Sequence, residues 1–247
     1  MRVTVLGCSG SHVGPQRMCS SYLVESDGYR LLLDCGNGSL ANLQGRLDVS
    51  EVDAVLLSHL HVDHFADLYG LYYALRFHPG GPRSVDVHAP RGAQAFLAQL
   101  LGDDEHFGRT CRFSQASAGD RLTLGPFDVS LHAADHPVEA LAARISAGGR
   151  VLAYSGDSAP TSALVDCAQD ADAFLCDSTW LERQRPLPPG VHSTGAEAGR
   201  MAAEAGAARL IVTHVFPATD PDEVAAEASA GYGGEVLVAT DRMELEL

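Results

Sequence analysis

The chain has 247 residues, long enough for one well-buried core, and its 46% hydrophobic and 20% charged residues with 25 glycines and 12 prolines describe a globular rather than a disordered polymer. The net charge is −15, all 17 basic residues are arginine, and no basic run occurs, which disfavours an extended nucleic-acid surface while leaving room for a few arginines to hold one phosphate. No stretch approaches the roughly 20 apolar residues of a membrane span, and residues 2–6 are too short for the apolar region of a signal peptide, so a cytoplasmic protein with no membrane partner is expected.

Strand-like runs come first, at 2–6, 21–25 and 29–34, separated by Gly-rich or polar turns. The loop Cys8-Ser-Gly-Ser-His12-Val-Gly14 has the glycines of a tight turn and hydroxyls that could face a pocket, but it is weak as a phosphate cradle. From residue 53 strands alternate with helical patterns, giving a mixed α/β class. A strand at 53–57 runs into a His-rich turn and a helix at 65–77. Further strands are predicted at 84–88, 127–133, 141–146, 151–155, 173–177, 210–213 and 236–239, and helices at 92–101, 161–168, 194–205 and 221–229. The count suits two packed sheets covered by helices. The Pro-rich stretch Arg185-Pro-Leu-Pro-Pro-Gly190 reads as a loop, so a single domain over 1–247 is expected.

The densest chemical signal is Ser58-His59-Leu60-His61-Val62-Asp63-His64, four potential metal ligands within six residues at the end of an apolar strand. Imidazoles and carboxylates are costly to bury unless paired, whereas a divalent ion accepts both. His59 and His61 share one face of an extended segment, while Asp63 and His64 diverge and can reach a second ion. The six cysteines (Cys8, Cys19, Cys35, Cys111, Cys167, Cys176) contain no CxxC pair and are expected as free thiols in or near the core.

The HxHxDH segment resembles the signature of the metallo-β-lactamase superfamily. The later motifs of that family recur in order: His136 in Ala-Asp-His-Pro, Asp157 in Tyr-Ser-Gly-Asp-Ser, and His214 in Val-Thr-His-Val. The resemblance implies an αββα sandwich of two mixed β-sheets flanked by helices. It implies that His59, His61 and His136 hold one metal, that Asp63, His64 and His214 hold a second, and that Asp157 bridges them. Zinc suits these ligands, with manganese or iron compatible. Two such ions activate water for hydrolysis.

The segment from His192-Ser-Thr-Gly-Ala-Glu197 to Ile-Val-Thr-His214 is similar to one shared by tRNase Z and related phosphodiesterases. By that resemblance His192 contacts the scissile phosphate and assists proton transfer, with Asp63 the second catalytic residue. The short interval from His136 to Asp157 lacks the RNA-clasping arm of the tRNA-processing enzymes, so tRNA 3′-end cleavage is disfavoured. The whole chain looks most like actinobacterial-type cyclic-nucleotide phosphodiesterases on this fold, which implies a small phosphodiester such as cAMP. Cys176-Asp-Ser-Thr-Trp180 stands where those relatives have Cys-Glu-Ala-Ser-Trp. An ester, thioester or lactone hydrolase is the alternative, and a non-catalytic metal-binding module the third reading.

His12, His78, His88, His106 and His132 are expected at the surface or behind the ligands, His132 being the one placed by strand alternation to orient a ligand. Tyr69, Tyr72, Tyr73 and Phe77 read as core or as the face of a possible homodimer rather than as a base-stacking platform.

Overall fold

Strict alternation decides where each strand's side chains go. In the strand Tyr29–Leu33 (β3), Leu31 and Leu33 enter one apolar cluster while Leu32 enters another. In Ser21–Ser26 (β2), Tyr22 and Val24 face the first cluster and Leu23 the second. A sheet with both faces apolar must be covered on both. The computed structural model, which describes residues 1–102 and 104–247, shows how.

The first sheet comprises Arg2–Gly7 (β1), β2, β3, Ala54–Leu56 (β4), Val85–Ala89 (β5), Cys111–Gln115 (β6) and the late strand Glu244–Glu246 (β14), in the order β14-β1-β2-β3-β4-β5-β6. The second comprises Arg121–Leu124 (β7), Phe127–Ala133 (β8), Leu141–Ala147 (β9), Arg150–Tyr154 (β10), Ala173–Asp177 (β11), Arg209–Thr213 (β12) and Glu235–Val238 (β13), in the order β13-β12-β11-β10-β9-β8-β7. Both are mixed. β14 through β3 pair antiparallel and β3 through β6 parallel; β7 through β10 pair antiparallel and β10 through β13 parallel.

The inner cluster between the sheets holds Val3, Val5, Tyr22, Val24, Phe127, Ile145, Leu152 and Ile211. Helices Ser39–Gln44 (α1), Val62–Phe65 (α2), Leu68–Arg76 (α3), Ala93–Leu101 (α4) and Asp104–Thr110 (α5) lie on the side of the first sheet. Leu71, Tyr72, Leu75, Leu97 and Phe107 pack there against Leu23, Leu32 and Val55. Ser162–Ala168 (α6), Gly195–Ala205 (α7) and Pro221–Tyr232 (α8) cover the second sheet through Leu164, Ala198, Ala202 and Val224. This is the expected helix-sheet-sheet-helix sandwich.

At the edges the elements differ from those expected. The helix expected at 65–77 is two pieces, and α2 begins at Val62 because the metal motif itself helps form its first turn; polar residues there gave no apolar period. β6, β7 and β14 were not anticipated, being edge or hairpin strands with largely exposed residues, nor were the short helices α1 and α5. The β9–β10 turn is made by Gly148-Gly149: both glycines have φ near +60 to +75°, the left-handed pair that a tight hairpin requires. Among the described residues no helix is long and apolar enough to cross a membrane.

Candidate metal centre

The site lies where strands end. Asp34 follows β3, Ser58 and His59 follow β4, Asp157 follows β10, Asp177 closes β11 and His214 follows β12, so five segments distant in sequence meet beyond the carboxyl ends of parallel strands. Two of these residues, Asp34 at φ 56° and His214 at φ 54°, sit in the left-handed region that non-glycine residues avoid, strain of the kind held in place by surrounding structure at functional sites.

The structure brings all seven residues named from the motifs together. Ligand-capable atoms of His59, His61, His136 and Asp157 lie within 4.8 Å of one another, as do those of Asp63, His64, Asp157 and His214. Asp157 is common to both groups. Its carboxylate lies 3.6 Å from His59 Nε2, 3.1 Å from His64 Nε2 and 3.3 Å from His214 Nε2. His61 Nδ1 faces His136 Nε2 at 2.9 Å.

Each of four histidines has its other ring nitrogen tied down from outside. His64 Nδ1 donates to Asp34 Oδ2 at 2.8 Å, His136 Nδ1 donates to the Val191 carbonyl at 2.7 Å, His59 Nδ1 meets Ser58 Oγ at 3.0 Å, and His214 Nδ1 meets Thr179 Oγ1 at 2.8 Å. These contacts fix the rings and turn Nε2 inward, the arrangement of a metal-ligating histidine. Two buried atoms pointing inward, His59 Nε2 and Asp157 Oδ1, have no hydrogen-bond partner among the described residues. Orphaned atoms of that kind are costly, and a divalent ion would satisfy both. The donor set fits a metal.

The electrostatics point the same way. Burial pushes His59, His61 and His136 toward the neutral form that binds a metal. Burial also opposes charge on His64 and His214, but there the carboxylates win: Asp157 and Asp34 hold His64 well above its usual range, and Asp157, Asp177 and Asp63 hold His214 at about 10. Conversely, burial disfavours ionisation of Asp63, Asp157 and Asp177, yet neighbouring imidazoles keep all three below the usual carboxylate range. The pocket is built for positive charge.

His192 joins this group. Its Nδ1 donates to Asp177 Oδ2 at 2.8 Å, and its ring stands 5.4 Å from that of His136 and 5.1 Å from that of His214, one from each cluster. The shorter carboxylate of Asp177 therefore reaches the histidine, while backbone donors at Ser158 and Thr179 hold it in place. Trp180 packs edge-on against His192 at 5.0 Å.

Three features were not read from the sequence. Asp34, fully buried, accepts from Ser58 N–H (2.7 Å), Ser58 Oγ (2.8 Å), Tyr154 Oη (2.6 Å) and His64. Ser11 N–H donates to Asp63 Oδ2 at 2.8 Å, so the loop after β1 borders the site. Gly10 is pressed against His214, where a Cβ would lie 2.6 Å from its carbonyl oxygen and 2.8 Å from Nδ1. The signal available was only a glycine pair in a loop and an aspartate ending a strand. His132, in contrast, does not orient a ligand: it meets Ser130 Oγ at 3.3 Å and lines a cleft with Arg144 and Asp166, because the chain leaves β8 at Ala133 and carries His136 elsewhere. All six cysteines are free and buried. Tyr72 is core, whereas Tyr73 and Phe77 face outward.

Comparison with known proteins agrees with this geometry. The profile of the beta-lactamase superfamily domain matches residues 29–215. The uncharacterized protein Rv1339 of Mycobacterium tuberculosis (strain ATCC 25618 / H37Rv) is 36% identical over 252 residues, covering 96% of this chain and 88% of that one. The probable metallo-hydrolase YhfI of Bacillus subtilis (strain 168) is 33% identical over 242 residues and 97% of each chain. The crystal structure of the metallo-beta-lactamase fold protein YhfI superposes with a TM-score of 0.90 over 99% of both chains, at 30% identity. Ribonuclease Z of Haloarcula marismortui (strain ATCC 43049 / DSM 3752 / JCM 8966 / VKM B-1809) is 30% identical over 301 residues, 99% of this chain and 96% of that one. Two seven-stranded sheets, His/Asp clusters able to bind metal at their edge and these matches give one conclusion: the chain belongs to the beta-lactamase superfamily, as a metallo-hydrolase of the metallo-β-lactamase fold.

Proposed function

We propose that this protein is a dinuclear phosphodiesterase whose substrate is a small, cyclic-nucleotide-like phosphodiester such as cAMP. His59, His61 and His136 would hold one ion and Asp63, His64 and His214 the other, with Asp157 shared. Zinc is favoured by the donor set, with manganese or iron as substitutes. When bound, the pair supplies Lewis acidity for attack of water on phosphorus and for the charge that develops there.

The observation that carries the reading is His192, set on buried Asp177 and facing both clusters. With Nδ1 engaged, its Nε2 is the atom left to contact a phosphoryl oxygen and to pass a proton to the leaving alkoxide. That alkoxide is a much poorer leaving group than an activated ester and needs such a donor. Asp63, kept ionised by its histidine neighbours and held by Ser11 N–H, would take a proton from the attacking water. The similarity to a ribonuclease Z supports phosphodiester chemistry, while the net charge of −15 argues for a small substrate over a polyanion.

The test is turnover of bis(p-nitrophenyl) phosphate, p-nitrophenyl acetate, a lactone and then cAMP by the zinc- or manganese-restored protein, with His192→Ala and Asp63→Ala in parallel. The expected result is diester and cAMP cleavage, lost about 10²–10⁴-fold in His192→Ala with metal retained. Preferential ester or lactone cleavage would move the protein to the ester-hydrolase branch, and tight metal binding without any turnover would make it a binding module.

A further inference from the structure

At the far end of α3, Arg76, Phe77, Arg83, His106 and Arg109 line a cleft of about 700 Å³. This is not the metal centre: the nine residues of α3 (Leu68–Arg76), about 13 Å of helix, stand between the metal motif and the cleft, and the cleft reaches Ser84, just before β5 begins, whereas the histidines lie where strands end. Arg109 is paired with Glu105, and the adjacent Arg112 with Asp86. Arg76 and Arg83 have no carboxylate partner among the described residues. The Arg76 guanidinium instead lies 5.4 Å from the centroid of the Phe77 ring. Phe77 is 67% exposed and Tyr73 51%, and their rings run nearly parallel, 10° apart at 6.1 Å.

On a surface of net charge −15, two cations without acids beside an exposed aromatic pair form a local reversal of sign. Guanidinium groups grip phosphate oxygens in pairs, and an open aromatic ring next to a cation takes a flat heterocycle. We infer that this cleft is a second ligand site, for a nucleoside monophosphate: its phosphate on Arg76 and Arg83, its base against Phe77. The inference is independent of the phosphodiesterase reading, since it uses no residue of the metal centre.

The experiment is calorimetric titration of the zinc-loaded protein with AMP, inorganic phosphate and adenosine, comparing the parent with R76E/R83E and F77A. Trp180, the single tryptophan, touches His192 and reports separately on the metal cleft by fluorescence. The expected result is that R76E/R83E weakens AMP binding at least tenfold without altering the Trp180 response. F77A should weaken AMP but leave phosphate unchanged. Should the double variant not fold, R83Q at this exposed position should still weaken AMP severalfold. The inference is overturned if folded R76E/R83E, or R83Q, binds AMP like the parent, or if adenosine binds as tightly as AMP. It is equally overturned if sedimentation shows a parent dimer that these variants split, which would make this face a subunit interface.

Discussion

Asp34 does more for the metal centre than its distance from the HxHxDH motif suggests. One buried carboxylate fixes the Ser58 backbone, the Ser58 hydroxyl, Tyr154 and His64, and the residue adopts a strained φ to do so. Asp34→Ala leaves the His64 ring without its outer partner, and the expected loss of metal affinity is about 10–100-fold. Titration against a competing chelator measures it; unchanged affinity would show that packing alone orients His64. Gly10 makes a steric counterpart. Gly10→Ala drives a methyl into the His214 carbonyl and ring, and kcat/KM on a diester should fall by about tenfold or more, since small misplacements at reacting centres are expensive.

The elements that present His192 depend on how α7 begins. Thr194 caps it, accepting from Glu197 N–H, while the Glu197 side chain accepts from Thr194 N–H, a reciprocal pairing that satisfies two otherwise orphaned donors. Glu182 binds Thr194 Oγ1 at 2.9 Å and pairs with Arg185, which also reaches Glu197, so the loop before α7 is tied to its first turn. Behind it, Gly195 and Gly199 let α7 lie directly on the backbone of α8, where a Cβ would run into the carbonyls of Val224 and Ala228. Gly199→Ala should therefore cost about 1–3 kcal/mol of stability by overpacking. Urea melting reads that change, and activity per folded molecule should be nearly preserved because residue 199 lies more than a turn beyond the cap.

For the whole molecule the metal centre links pH, metal and stability. His214 is held at about 10 against an ordinary 6.5, so in metal-free protein its contribution is complete below about pH 6.5 and is lost as pH rises through about 10. Asp63, Asp157 and Asp177 are shifted downward, so their contribution is present above the usual carboxylate range and is lost on acidification. An ion replaces the protons that balance these carboxylates. Thermal melts of chelator-treated and zinc-loaded protein from pH 6 to 10 should diverge, with the metal-free form losing stability toward pH 10 and the loaded form holding it. Parallel curves would show that His214 does not carry that charge.

How much of this was legible in the chain follows from the range of each interaction. The HxHxDH motif was readable because four potential ligands crowded at the end of an apolar run have no packing explanation, and His136, Asp157, His192 and His214 were readable through the family resemblance that this motif opens. The two-layer sandwich was readable from strand count and alternation. Edge strands β6, β7 and β14 were not, since one exposed face leaves little pattern. Asp34, Gly10 and the Ser11 amide were not, because their partners lie 24 to 120 positions away for Asp34 and beyond 50 for Ser11. Sequence by itself determined the donor atoms, the family to which they belong and the alternation that builds the sheets, all properties of neighbouring residues. Only the tertiary structure decided which nitrogen of each histidine faces inward, which carboxylate holds it there, and that His132 stands apart. Those depend on strand ends meeting across two sheets, a long-range geometry that no local pattern encodes.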